Sequence, residues 1–238
     1  MSGNHVVVVG GCSVNEPNHD AYPTAFLEAG VSRIKQQPMQ GRINQSVMIM
    51  FTPSYTLRVL KQKVEHPEVH PNGNPRHFWN FMVDCAGRNG FTLLEARSGG
   101  DVTRLLKQSA QIQLLDFFGH SNKKRWLLDF GKDGTDNSTE AFGREDLMQL
   151  ANSFTNDALF ASFGCFQGQP IGLCHMAAYF LHIRAMGSTT RTDYERRDAT
   201  TMLPSGSYQE YTPSKDPAKP LTADELEAQA HRVAYPFE

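Results

Sequence analysis

At 238 residues and 39% hydrophobic, the chain can bury one sizeable core, so it needs no disulfide staples, and one large domain is favoured over two small ones. Its 23 Lys and Arg nearly balance 25 Asp and Glu, so no global field points to nucleic acid or to an anionic membrane as partner. No segment approaches the roughly 18 apolar residues of a membrane span, and the start lacks the basic and apolar regions of an export signal, so a cytoplasmic location is expected.

The β-branched run His5-Val6-Val7-Val8-Val9, stopped by Gly10-Gly11, predicts a central parallel strand buried on both faces. A helix is expected from Pro23 to Gln36, then a strand from Gln45 to Phe51, closed by Thr52-Pro53-Ser54. Residues 61–75 hold three prolines and two asparagines and read as a loop. Pro75 opens a helix through Phe78, Trp79, Phe81, Met82 and Val83 to Gly87. Phe91 to Ala96 is the third strand, and Gly99-Gly100-Asp101 starts a short helix with Val102, Leu105 and Leu106 on one face.

Leu114 to Phe118 reads as the fourth strand and Arg125 to Phe130 as a small hairpin strand. A polar excursion runs from Gly131 to Thr139; the segment Asp129 to Asp136, with Asp133 and Asn137 nearby, has carboxylates enough to suggest Ca²⁺ but lacks the ordered pattern of a Ca²⁺ loop, so a solvated loop is expected. A helix over Arg144 to Ser153, a fifth strand over Ala158 to Phe163, a helix over Ile171 to His182 and a sixth strand over Arg184 to Thr190 complete the series. Strands and helices alternating at this spacing predict an α/β fold with a mostly parallel six-stranded sheet flanked by helices. From Pro204 to Pro220 the composition suits a linker or exposed loop, and Thr222-Ala223-Asp224-Glu225 has capping-box form before a last short helix. The expected organisation is a main domain over 1–203, with 204–238 packed on it.

Two of these strands end in reactive side chains. Leu114 to Phe118 runs into Gly119-His120-Ser121, and Ala158 to Phe163 runs into Gly164-Cys165. Functional groups of open α/β sheets gather beyond the carboxyl ends of the strands, so this thiol and imidazole are expected on one rim. Such a pair is the minimum equipment of a cysteine hydrolase: the imidazole holds the thiol as thiolate and later protonates the leaving group. Gly119 and Gly164 remove side-chain bulk and are grouped with the expected oxyanion backbone, Gly168 permits a tight turn, and the amides of Ser121 and Cys165 are the expected oxyanion donors. The positive end of a helix starting near Pro170 is expected beside the thiol.

The other candidates have plainer readings. Cys12 follows Gly10-Gly11 without the glycine spacing of a dinucleotide fingerprint or the Lys of a P-loop, and is expected to be structural or to line the same rim. Cys174 is expected in the core. No Cys-x-x-Cys, His-Glu-x-x-His or zinc spacing occurs among four Cys and nine His, so neither a metal nor a cofactor is expected and a reducing compartment suits the cysteines. Lys123-Lys124-Arg125 reads as a solvated turn, or as an attractor for an acidic substrate segment.

The succession of apolar strand, Gly119-His120-Ser121, hairpin, helix, apolar strand and Ser162-Phe163-Gly164-Cys165-Phe166-Gln167-Gly168 resembles the caspase-type (clan CD) cysteine peptidases, most of all the bacterial CHAT branch that is also similar to separase. The interval of about 45 residues with His first matches the caspase order. The resemblance extends through Ala177 to Leu181 and Arg184 to Thr189, where those relatives have a helix and then a strand bordering the specificity pocket. It implies a three-layer caspase-like fold and a thiol protease with His120 and Cys165 as catalytic dyad. A protein or peptide is then the substrate, and the bacterial relatives suggest a role in defence or cell death. The implied pocket wall is Ser188 to Asp193, where Arg191 would receive an acidic P1 side chain and Asp193 a basic one; both remain open. Two departures stand out: Ser121 replaces a frequent Gly, and Phe163 stands where caspases have Gln and many basic-specific relatives Asp. A non-catalytic peptide-binding module on the same scaffold is the alternative.

Overall fold

Val6, Val7, Val8 and Val9 are all fully buried, because their strand lies inside a seven-stranded sheet with helices on both faces. The computed structural model describes residues 2–12, 24–36, 41–65, 73–130, 140–197 and 203–213. The expectations for Gly131 to Thr139 and for Thr222 onward lie outside the described residues.

The elements in chain order are β1 (Gly3–Val9), β2 (Gly11–Cys12), α1 (Ala25–Lys35), β3 (Ile43–Phe51), α2 (Thr52–Glu65), α3 (His77–Asn89), β4 (Thr92–Ala96), α4 (Gly99–Ser109) and β5 (Ile112–Phe118). Then come β6 (His120–Asn122), β7 (Arg125–Leu127), β8 (Asp129–Phe130), β9 (Ala141–Phe142), α5 (Arg144–Met148) and β10 (Phe154–Ser162). The chain continues through α6 (Leu173–Leu181), β11 (Arg184–Ser188), β12 (Asp193–Arg197), β13 (Pro204–Ser205) and β14 (Tyr208–Tyr211).

The large sheet has the order β14-β11-β10-β5-β1-β3-β4, parallel throughout except for β14 against β11. It therefore has one strand more than expected. The extra strand lies in the stretch that reads as a linker: Tyr208 pairs with Ser188 and Tyr211 with Ala185, so residues 208–211 are part of the sheet itself. The two tyrosines supply the β-propensity and the buried contacts that the surrounding prolines conceal.

Alternation along the strands divides the core in two. Val6, Val8, Leu115 and Phe117 pack with residues of α4, α5 and α6 on one face, while Val7, Val9, Met48 and Phe118 pack with α1, α2 and α3 on the other. Helix α2 takes in the turn expected at Thr52-Pro53-Ser54 and the first residues of the loop expected over 61–75. Pro53 stands in its first turn, where a missing N–H costs nothing and the fixed φ suits the helix, and the helix runs to Glu65. The helix expected over Arg144 to Ser153 is regular only to Met148 and continues as turns to Ser153.

Strand order reverses between β1 and β5, since the chain first builds β3 and β4 on one side of β1 and then β5, β10 and β11 on the other. The crevice outside the carboxyl ends at such a reversal is where open α/β sheets bind ligands. Gly10 and Gly119 stand there, with the end of β10 next to them.

Candidate active site

Phe117 of β5 pairs with Ser162 of β10. His120 and Cys165 each lie three residues beyond that rung, on strands whose neighbours run about 4.8 Å apart. The ladder continues past the regular strands, because the Phe163 amide donates to the Phe117 carbonyl at 2.9 Å. The sheet register thus brings the backbones of His120 and Cys165 to the same rim, equally far beyond one rung.

Beyond this rung the two strand ends are tied directly. The Ser121 hydroxyl donates to the Cys165 carbonyl at 2.8 Å. A Cβ on Gly164 would overlap Ser121 Oγ, 2.7 Å from Ser121 Cβ and 3.1 Å from the Gly119 carbonyl oxygen, so only glycine allows this approach. Tyr194 adds a second tie: its hydroxyl accepts from the Gly119 amide at 3.2 Å and donates to the Phe163 carbonyl at 3.0 Å. Burial pushes the Tyr194 hydroxyl well above its ordinary pKa, which keeps the proton that this second bond needs. The Gly119 amide, grouped with the oxyanion backbone from sequence, is occupied by this bond.

After Cys165 the chain does not enter a helix at once. Cys165 to Gly168 form turns, and α6 begins at Leu173, later than expected. The helix start faces the hairpin instead of the thiol: the Leu173 amide donates to the Lys123 carbonyl at 2.9 Å, and the Ile171 amide to His175 Nδ1 at 3.0 Å. Gly168 is needed for space and not for a left-handed turn; a Cβ there would run into the Gly187 carbonyl, and it is Phe166 that adopts a positive φ of 62°. Gln167, fully buried, turns its side-chain amide to the carbonyls of Asn122 and Arg125 and so clips the cysteine loop to the hairpin that starts at His120.

The thiol faces the segment after β11. Cys165 Sγ lies 3.4 Å from the Thr192 amide, which donates to it, and 3.5 Å from Thr192 Oγ1. The Phe166 amide donates to Thr190 O at 3.0 Å and the Gly168 amide to Ser188 O at 2.8 Å, which hold this segment against the loop. His120 is half-buried and meets the Phe26 ring edge to face at 5.1 Å; Phe26 in turn packs against Tyr194 at 4.5 Å. Helix α1 therefore supplies one aromatic wall of the site.

No protein-family model, curated protein or solved structure matches this chain. What the site can do has to be read from its own chemistry.

Among the residues expected at the pocket wall, Arg191 is exposed and Asp193 half-buried. Ser188 is fully buried, and its hydroxyl is spent on the carbonyls of Thr190 and Ser207, so it braces the wall from inside instead of lining an open pocket. Phe163 is also turned away from the rim, stacked on Phe118 at 4.8 Å in the core facing α1. Thr192, Tyr194, Phe26 and Gln167 were not singled out from sequence. Thr192 lies within the expected wall segment, but only the backbone path brings it to the sulfur.

The other thiols have separate places. Cys174 is fully buried, with its Sγ 3.2 Å from the Met186 carbonyl, and burial pushes its pKa well up. Cys85 is buried in α3. Cys12 continues from β1 and pairs with Phe130, half-buried at the same end of the sheet as His120 and Cys165.

Below the rim lies a charged cluster that the apolar strand pattern hides. Asp116 of β5 is fully buried, and its Oδ2 lies 2.8 Å from His5 Nε2 and 2.9 Å from Arg33 Nε. Burial alone would raise the carboxyl pKa; the Arg33 guanidinium and the His5 bond outweigh it and hold it below the ordinary value. Arg33 also lies over the Phe163 ring at 5.6 Å, so the cluster supports the strand that carries Cys165. Among the described residues no group of three or more His, Cys, Asp or Glu is arranged to hold a metal, and no helix is long and apolar enough to cross a membrane.

Proposed function

We propose that the chain is a cysteine endopeptidase of caspase-like fold, similar to the bacterial CHAT branch, that cleaves a specific protein partner in the cytoplasm, in defence or cell death. The observation that carries this reading is the register of β5 against β10, which sets His120 and Cys165 equally far beyond one rung, with Ser121 bonded to Cys165. The sheet order, with a reversal at β1 and β5 and an antiparallel last strand, supports it.

His120 takes the proton of the Cys165 thiol, and the thiolate attacks the carbonyl carbon of the scissile peptide. The amides of Ser121 and Cys165 receive the negative charge on the carbonyl oxygen. The tetrahedral adduct collapses when His120 gives its proton to the leaving nitrogen; the C–N bond breaks, the amine departs and a thioester remains. His120 then accepts a proton from water, whose oxygen attacks the thioester, and returns it to sulfur as the acid product leaves. The Thr192 amide beside Sγ holds the sulfur at the mouth of the site between turnovers.

A peptide probe with a thiol-reactive acyloxymethyl ketone tests the assignment. It labels Cys165 in the wild type and fails in His120→Ala. Equal labelling of both proteins, or selective labelling of Cys12, refutes the dyad and leaves the peptide-binding module as the reading.

A further inference from the structure

We propose that the hollow between the β6–β7 turn and the start of α6 docks an acidic segment of the protein substrate, one that also carries an apolar residue. The hollow has a volume of about 410 Å³ and is walled by Lys124 of the turn, Arg125 at the start of β7, Arg144 at the start of α5, and the apolar Ile171 and Met176. All three cationic residues are exposed, and among the described residues none of them forms an ion pair. Arg144 is steadied over the Phe180 ring at 4.9 Å, which leaves its N–H groups for a carboxylate.

Two carboxylates also border the hollow, and one is already engaged. Asp146 accepts the Thr103 hydroxyl at 2.9 Å and the Gly143 amide at 3.0 Å. Glu145 is the second acid, so three cationic side chains face two carboxylates and positive charge predominates. A neighbouring hollow of about 380 Å³ shares Asp146 and adds Lys107 of α4, while its Arg104 is paired with Asp101 at 2.9 Å. Ile171 is 37% exposed at the mouth, an apolar contact that a phosphate backbone does not use. The carboxylate of Glu145 likewise disfavours a continuous polyanion such as nucleic acid, whereas a peptide can place its charges and its apolar side chain separately.

The hollow also has the right position. Lys124 and Arg125 follow His120 on one short hairpin, within about 15 Å of it at strand rise, and Ile171 belongs to the loop that begins at Cys165. A segment held there stays close to the rim where the scissile bond would lie. The inference rests on the protease reading only in naming the occupant as part of a substrate.

The test uses the full chain carrying Cys165→Ala, so that binding is measured without cleavage, and a fluorescein-labelled Glu-Leu-Glu-Glu-Leu-Glu peptide read by anisotropy. The peptide binds at low ionic strength, and its affinity falls about tenfold or more in Lys124→Glu/Arg125→Glu and at high salt, while the melting temperature of the variant stays that of its parent. Arg144→Ala, a milder change, weakens binding in the same direction. The same peptide with Lys in place of Glu does not bind. Unchanged affinity in both variants overturns the proposal, as does tighter binding of a single-stranded oligonucleotide that the charge reversal abolishes. Because the parent already lacks the thiol, loss of peptide binding is distinguishable from a failure of Cys165 labelling in the wild type.

Discussion

The Ser121 hydroxyl donates to the carbonyl of Cys165 at 2.8 Å, so the residue after the imidazole holds the backbone of the residue that carries the thiol. The approach of the two strand ends is thereby fixed, and changes beside it should read out at the sulfur.

Gly164→Ala is the sharpest such change, since the new methyl group would overlap Ser121. It costs about 1–3 kcal/mol of stability in urea unfolding and abolishes labelling of Cys165. Ser121→Gly in the same chain removes the obstacle and recovers part of the stability. A Gly164→Ala protein with wild-type stability and labelling would contradict this packing.

Tyr194→Phe keeps the ring against Phe26 and removes the hydroxyl that joins Gly119 to Phe163. The stranded amide and carbonyl cost about 1–3 kcal/mol. Because the freed Gly119 amide adjoins His120, the rate of Cys165 labelling falls as well; melting curves and labelling rates measured together check both effects.

Native thiol reactivity should follow burial. Iodoacetamide at neutral pH modifies Cys165 and Cys12, which are half-buried, while Cys85 and Cys174 react only after denaturation. Peptide mapping by mass spectrometry gives the order directly. Native alkylation of Cys174 at the rate of Cys165 would refute its place in the core.

Arg33→Met removes the countercharge of a fully buried carboxylate and costs about 3–5 kcal/mol. The pH dependence also changes sign. In the wild type the Asp116 pKa lies below the unfolded value of about 3.9, so its contribution is complete above that pH and is lost only as pH falls through the native value. With Arg33 gone, burial dominates and raises the carboxyl, so acidification from about pH 7 towards 5 stabilises the variant. Urea melts at both pH values distinguish the two slopes.

Strands β1, β3, β5 and β10 were legible because each holds a largely apolar run closed by glycine or a turn residue, and the runs of β5 and β10 pointed to His120 and Cys165. Helix α2 was not, because Thr52-Pro53-Ser54 has the composition of a turn and of a helix start alike, and only packing against β2 and α3 in the folded chain decides between them. Strand β14 was hidden by the prolines on both sides of Tyr208 to Tyr211. Asp116 reads as one polar residue in an apolar strand; its partners stand 111 and 83 residues away and meet it only through the folded sheet. Thr192 and Gln167 escaped for the same reason, since their roles rest on backbone atoms of distant loops.

Strand β14 has a consequence for where the polypeptide can be cut short. Removing everything after residue 203 would uncover the full edge of β11 from Ala185 to Ser188, a row of unsatisfied amides and carbonyls beside a buried apolar face. It would also remove the Tyr211 hydroxyl bond to Gly168 O at 2.7 Å, and with it a prop of the turn next to the thiol. A shortened protein of that kind would self-associate edge to edge, so any independently folding fragment has to reach at least Tyr211.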